Sequence, residues 1–166
     1  MSLRLRLPRV EDEDEVLAAQ DELAADDFVF AFRQPGQTFA EFVQLVEDHR
    51  RGRNLGPGWV ESTFLLADVD GLVVGRSSIR FELNDYLRME GGHIGYAVRP
   101  AHRRRGYATE ILRQSLIVAR AGGVDRALVT CDDDNIGSAA VIEANGGVLQ
   151  DVIAVDGVPL RRYRIE

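Results

Sequence analysis

The sequence predicts an α/β chain, an α+β mixed sheet folded as one domain over residues 1–166, and three observations carry that reading. Apolar runs of period two recur along the chain, stretches with a period near 3.6 are interleaved with them, and no repeat or low-complexity linker interrupts the pattern. The expected order is β-α-α-β-β-β-α-β-α-β-β.

Leu3 to Leu7 alternate Leu and Arg, which suits a half-buried strand, and Pro8 closes it. Acidic residues then open a helix carrying Val16, Leu17, Ala19 and Leu23, where negative charge complements the helix dipole. After the loop "FRQPGQ", Thr38 is a natural N-cap for a second helix with Phe39, Phe42, Val43, Leu45 and Val46 on its apolar side. Gly56, Pro57 and Gly58 break periodicity around Trp59. Two β-rich runs joined at Asp70-Gly71 read as a hairpin, and "HIGYAV" reads as another strand that Pro100 ends. From Gly106 to Ala121, Ala108, Ile111, Leu112, Ser115, Leu116 and Ala119 trace one helical face, stopped by Gly122-Gly123. "RALVTC" predicts a strand and "NIGSAAVIEANGG" a helix. "VLQDVIAV" and "PLRRYRI" predict the last two strands, around Asp156-Gly157.

Composition narrows the function. A net charge of −7 disfavours nucleic acid as a partner, which would call for a basic domain. Cys131 is the one cysteine, so neither an internal disulfide nor a cysteine-based zinc cluster can form, and a reducing cytoplasm is the expected location. No apolar run approaches the ~20 residues of a membrane span, so no membrane partner is expected. Self-association into a homodimer is left open.

Against that acidic background stands "RPAHRRRGYATE", residues 99–110. It lies between a strand end and a helix start, where unpaired backbone N–H groups and the positive end of the helix dipole favour an anion. Gly106 permits close approach of the backbone, and small Ala108 keeps the first turn clear. The segment matches neither G-x-x-x-x-G-K-[ST] nor G-x-G-x-x-G, which excludes those nucleotide loops.

Arg103-Arg104-Arg105-Gly106-Tyr107-Ala108 does match Q/R-x-x-G-x-G/A, and it resembles the pyrophosphate loop of the GNAT superfamily of N-acetyltransferases. "HIGYAVRP" resembles that family's central strand and "DDDNIGSAAVIEANGG" its Asn-containing motif before the last helix. "GWVEST", "IRFELN" and "GGHIGY" resemble a subgroup of it. The resemblance implies a splayed central sheet flanked by helices, with acetyl-CoA as cosubstrate and no metal. The pyrophosphate would rest on the N–H groups of Arg104 to Ala108, at a helix start that runs on through Thr109, with the arginines complementing its charge. Tyr96, Ala97 and Val98 would present backbone groups to the pantetheine arm and the reacting carbonyl oxygen. Asn135 would contact the same arm, cap the helix, or do both. The acceptor would be a primary amine of a small molecule or a protein, acetylated by direct attack.

Glu90 and His93 are the candidate bases, because the family places such a residue near the start of this strand; a structural imidazole and a solvated carboxylate are the competing readings. Where the family often carries a proton-donating tyrosine, this chain has Ile142. That departure keeps an acyl-CoA-binding module without catalysis as the alternative. Phe28, Phe30, Phe32 and Trp59 are candidates for an amine pocket or for core. Asp26, Asp27 and Glu82 are candidate attractants for a cation. His49 and His102 are expected to face solvent, Cys131 to be a core thiol, and Asp132 to Asp134 to be solvated or to cap a helix.

Overall fold

The computed structural model describes residues 2–166, as two antiparallel sheets that meet at one corner. The first sheet has the order β1 (Leu3–Arg6), β2 (Ser62–Val69), β3 (Leu72–Arg80) and β4 (Ile94–Val98). The second runs β5 (Ala127–Asp132), β7 (Val158–Ile165) and β6 (Val148–Val155). Every expected element is present, and the order adds one α-helix and two short 3-10 turns, Val10–Asp12 and Pro100–His102.

Helix α1 (Glu13–Ala24) and α2 (Phe39–Arg50) cover one face of the first sheet. Val16, Leu23, Phe30, Phe39 and Phe42 bury there against Phe64, Leu66 and Val73. α2 starts as the sequence predicts: Thr38 Oγ1 accepts the Glu41 N–H at 3.1 Å and Glu41 returns a carboxylate to the Thr38 N–H at 2.8 Å. On the other face lie α4 (Tyr107–Ala121) and α5 (Ile136–Ala144). Ile79, Ile94, Leu112, Leu116, Val129, Ile142 and Tyr163 form the core under them. Buried Ser77 and Ser115 share a hydrogen bond of 2.7 Å that pins β3 to α4.

The added helix is α3 (Asp85–Met89), a single turn in which the Asn84 side chain caps Leu87 N–H at 2.9 Å. It carries the chain from β3 to β4 and places Glu90.

β4 and β5 touch only where β4 begins. His93 N–H donates to the Leu128 carbonyl at 2.8 Å, and Leu128 N–H donates back to His93 Nδ1 at 2.8 Å. Gly92 has φ +59 and sits so close that a Cβ would strike the Leu128 carbonyl, so this junction requires glycine. Beyond it the strands pair with β3 and β7 respectively, not with each other. A V-shaped gap opens between them.

Candidate functional site

The gap forms a cleft with a volume of about 360 Å³. Its walls come from the loop after α1 (Phe28, Phe32), from β3 (Arg76, Arg80), from Glu90, from β4 (Gly95, Tyr96), from β5 (Thr130 to Asp132) and from α5 (Asn135, Ser138). The α1 loop is fastened in place. Gln20 Oε1 accepts the N–H groups of Phe30 and Ala31 at 2.9 and 3.0 Å. Arg99, just past β4, grips Glu15 and Glu22 on α1 at 2.7 Å each.

At the far end of β4 the chain makes a tight reversal into α4. Arg104 has φ 64 and Gly106 φ 81, left-handed conformations that turn successive N–H groups outward. Among the described residues, the N–H groups of Arg104 through Thr109 meet no acceptor within the chain. The side chains of Arg104 and Arg105 are exposed, and neither makes an ion pair or hydrogen bond there. This is the donor set an anionic diphosphate requires. Arg103 behaves differently: its Nη2 pairs with Asp26 at 2.9 Å and its Nε donates to the Val98 carbonyl at 3.2 Å. It fastens the α1 loop to β4, which also removes Asp26 as a free attractant for a cationic amine. Tyr107 and Ala108 pack against the small cluster around Val98 and Ile111. Thr109 is half-buried, and its carbonyl accepts from Asn145 at 3.2 Å.

The two candidate bases separate. Glu90 lines the cleft. His93 does not; it is 8% exposed, and its Nδ1 lone pair is taken by the Leu128 N–H. The other ring nitrogen of the neutral imidazole then carries the hydrogen, so no lone pair is left to accept a proton. Burial first, then the positive charge of Arg164 and Arg80, pushes its pKa down to about 4. His93 is the clasp between β4 and β5, and its ring lies outside the cleft lining that holds Glu90.

Ala97 and Val98 pair with Arg76 and Gly75 of β3, leaving their other edge toward the gap. Asn135 caps α5, its Oδ1 accepting the Ser138 N–H at 3.0 Å, while its amide nitrogen stays unpaired at the cleft wall. Ile142 is fully buried in the core and absent from the cleft. A hydroxyl is nevertheless present there: Tyr96 Oη lies 2.7 Å from Ser138 Oγ, and burial pushes its pKa up to about 12. The family resemblance implies a part for the Tyr96 backbone alone. Its alternation on β4 places the side chain toward α5, a signal that was available.

Phe28 and Phe32 line the cleft, Phe30 is fully buried, and Trp59 stacks edge-on against Phe32 at 5.5 Å. His49 is half-buried beside Trp59, with ring centres 5.2 Å apart, rather than solvent-facing, and burial lowers its pKa. Cys131 is buried, and desolvation raises its pKa away from the reactive thiolate. Asp133 pairs with Arg161 at 2.7 Å, and among the described residues no cluster of His, Cys, Asp or Glu could hold a metal ion. No described helix is long and apolar enough to cross a membrane.

Residues 2–148 match the family model described as the acetyltransferase (GNAT) domain. The chain belongs to the GNAT acetyltransferase family. No curated protein sequence matches it. Among solved structures it is similar to an N-acetyltransferase from Staphylococcus aureus Mu50, with 16% identity, a TM-score of 0.71, and coverage of 100% of this chain and 99% of that one. RimJ of Mycobacterium smegmatis, in complex with CoA-disulfide, gives 20% identity, a TM-score of 0.70 and coverage of 98% and 81%. The microcin C7 self-immunity acetyltransferase MccE, in complex with acetyl-CoA and AMP, gives 18%, 0.67, and 98% and 91%. These GNAT neighbours share the mixed α/β arrangement of antiparallel sheets flanked by helices, and MccE binds acetyl-CoA at this level of fold similarity.

Proposed function

We propose that the protein is an N-acetyltransferase that uses acetyl-CoA and a primary amine, as a single domain spanning the whole chain. The observation that carries this reading is the run of unpaired N–H groups from Arg104 to Thr109 at the mouth of a gap between β4 and β5. Membership of the GNAT family and the acetyl-CoA complex of MccE support it.

The residues fit the cosubstrate. Backbone donors at the start of α4, with the free guanidinium groups of Arg104 and Arg105, would hold its phosphates. The open edge of Tyr96, Ala97 and Val98 would hold the pantetheine amides as an added strand, with Asn135 Nδ2 opposite. Acetyl-CoA, when bound, supplies an acetyl thioester. The amine nitrogen bonds to the acetyl carbon, the C–S bond breaks, the nitrogen gives up one proton and the sulfur gains one.

Glu90 stands at the cleft wall to take the amine proton, directly or through water. Tyr96 holds a proton at Oη throughout the neutral range, and its contact with Ser138 orients it. It takes the proton-donating part that the buried Ile142 does not. A backbone N–H of β4 would face the developing oxyanion.

Mixing the protein with acetyl-CoA and a panel of amines, and following thiol release, tests the reading. Thiol release that depends on an amine supports it. Binding of acetyl-CoA with no transfer to any amine replaces it with the acyl-CoA-binding module.

A further inference from the structure

Arg76 and Arg80 lie on β3 four residues apart, so both face the α1 side of the sheet and the cleft. Neither meets a carboxylate among the described residues. Arg76 is 3% exposed; its Nη1 and Nη2 donate to the carbonyls of Gly95 at 3.3 Å and Val29 at 2.9 Å, and its buried Nε has no partner. The rings of Phe28 and Phe32 stack on it at 4.6 and 5.3 Å. Arg80 Nη1 donates only to the carbonyls of Gly91 and Gly92, at 3.0 and 3.4 Å.

Proteins rarely keep a buried cation without an anion, and here a second cation stands beside the first. Burial first, then the Arg80 charge, pushes the pKa of Arg76 down to about 9. The two groups converge. A Cβ built on Gly95 would lie 3.6 Å from Arg76 Nη1 and 3.5 and 3.8 Å from Arg80 Nη1 and Nη2. The missing side chain at Gly95 therefore opens a point on the cleft floor that both guanidinium groups reach.

We infer that this point seats an anionic group of the acceptor, so that the acceptor is a small amine that also carries a carboxylate or a phosphate. The inference rests on the acetyltransferase reading above. Glu90 and Asp132 line the same cleft, which suits an acceptor bearing an ammonium as well as an anion. A volume of about 360 Å³ must also admit the acetyl end of the cosubstrate, which leaves room for a compact molecule. A purely structural role for Arg76, holding Val29 and the α1 loop, leaves the convergence of Arg80 on the same point unexplained.

The test compares matched acceptors: common L-α-amino acids against their methyl esters, and 2-aminoethyl phosphate against ethanolamine. The two pairs separate carboxylate from phosphate. Esters have the less basic amine, so without an anion seat they react better. Wild type is expected to favour the anionic member of one pair by about 10- to 100-fold in kcat/KM, the worth of a charge-assisted hydrogen bond. Arg80→Met should erase the preference through KM while acetyl-CoA binds as before, and Arg80→Lys should restore part of it. A readout free of turnover uses protein saturated with coenzyme A: inorganic phosphate or succinate should raise the Tm of wild type and not of Arg80→Met. Acetylation of neutral amines with equal ease, or an Arg80→Met defect confined to acetyl-CoA binding, overturns the inference and leaves the acetyltransferase reading standing. Anion protection without transfer to any amine removes that reading and keeps the seat.

Discussion

Replacing His93 with Asn separates the clasp from its titration. Asn keeps a neutral acceptor within reach of the Leu128 N–H but cannot take up a proton near neutrality. In wild type the ring has a pKa of about 4 when folded against 6.5 when unfolded. The stability that the neutral ring contributes is therefore complete above about pH 6.5 and lost as pH falls toward 4. Between about pH 7.5 and about pH 5 the unfolded chain takes up nearly one proton that the folded chain refuses, which removes roughly 2 kcal/mol. Other groups titrate in both proteins, so the difference between them isolates His93. Urea unfolding at the two pH values should show wild type losing about 2 kcal/mol more than His93→Asn. Equal losses would show that the imidazole is not held neutral by its burial, and the strand-clasp account would fail with it. With Glu90 proposed as the base, the same variant should keep the acidic limb of kcat/KM; loss of that limb would return His93 to the chemistry.

Gly106→Val should abolish acetyl-CoA binding, since a branched side chain would stand among the N–H donors, and should also lower stability, since φ is +81 there and a β-branched residue adopts that conformation only with strain; a thermal-shift titration reads both effects. Arg105→Ala should weaken binding more at low salt than at high, whereas Arg103→Ala should chiefly loosen the α1 loop, seen as faster proteolysis near Asp26. Tyr96→Phe should lower kcat by about 10²-fold with acetyl-CoA affinity intact, the range of a lost general acid; an unchanged kcat would remove the hydroxyl from the mechanism. Ile142→Ala should cost about 2–5 kcal/mol of stability, because the side chain is fully buried, and less than about tenfold in rate once folded. A thousandfold loss of rate in folded protein would return that position to the chemistry.

Where periodicity was long, the sequence was sufficient. The face of α4 from Ile111 to Ala119 is buried as its spacing predicts, and Asp70-Gly71 makes the hairpin turn between β2 and β3. Single-turn α3 escaped because five residues carry no helical period; only the Asn84 cap could have marked it. α1 is shorter than its acidic preamble suggested, since Val10–Asp12 form a separate tight turn and Asp27 takes φ 54 beyond its end. At the site, the glycine and helix start at residues 106–109 were legible as a local motif. Pairings between distant residues were not: Arg103 with Asp26, His93 with Leu128, and the meeting of Arg76 and Arg80 over Gly95 depend on sheet register and loop packing. A sequence of equal charge cannot reveal which arginines are spent on carboxylates and which remain free.

Acetyl-CoA is proposed to seat on the N–H groups at the start of α4, beside the gap between β4 and β5. Isothermal calorimetry of the wild-type chain with acetyl-CoA, repeated with folded Gly106→Val, tests it most directly. The account predicts one site with a micromolar Kd for wild type and no measurable heat for the variant. Heat of equal affinity in both, or none in wild type at millimolar ligand, would contradict it.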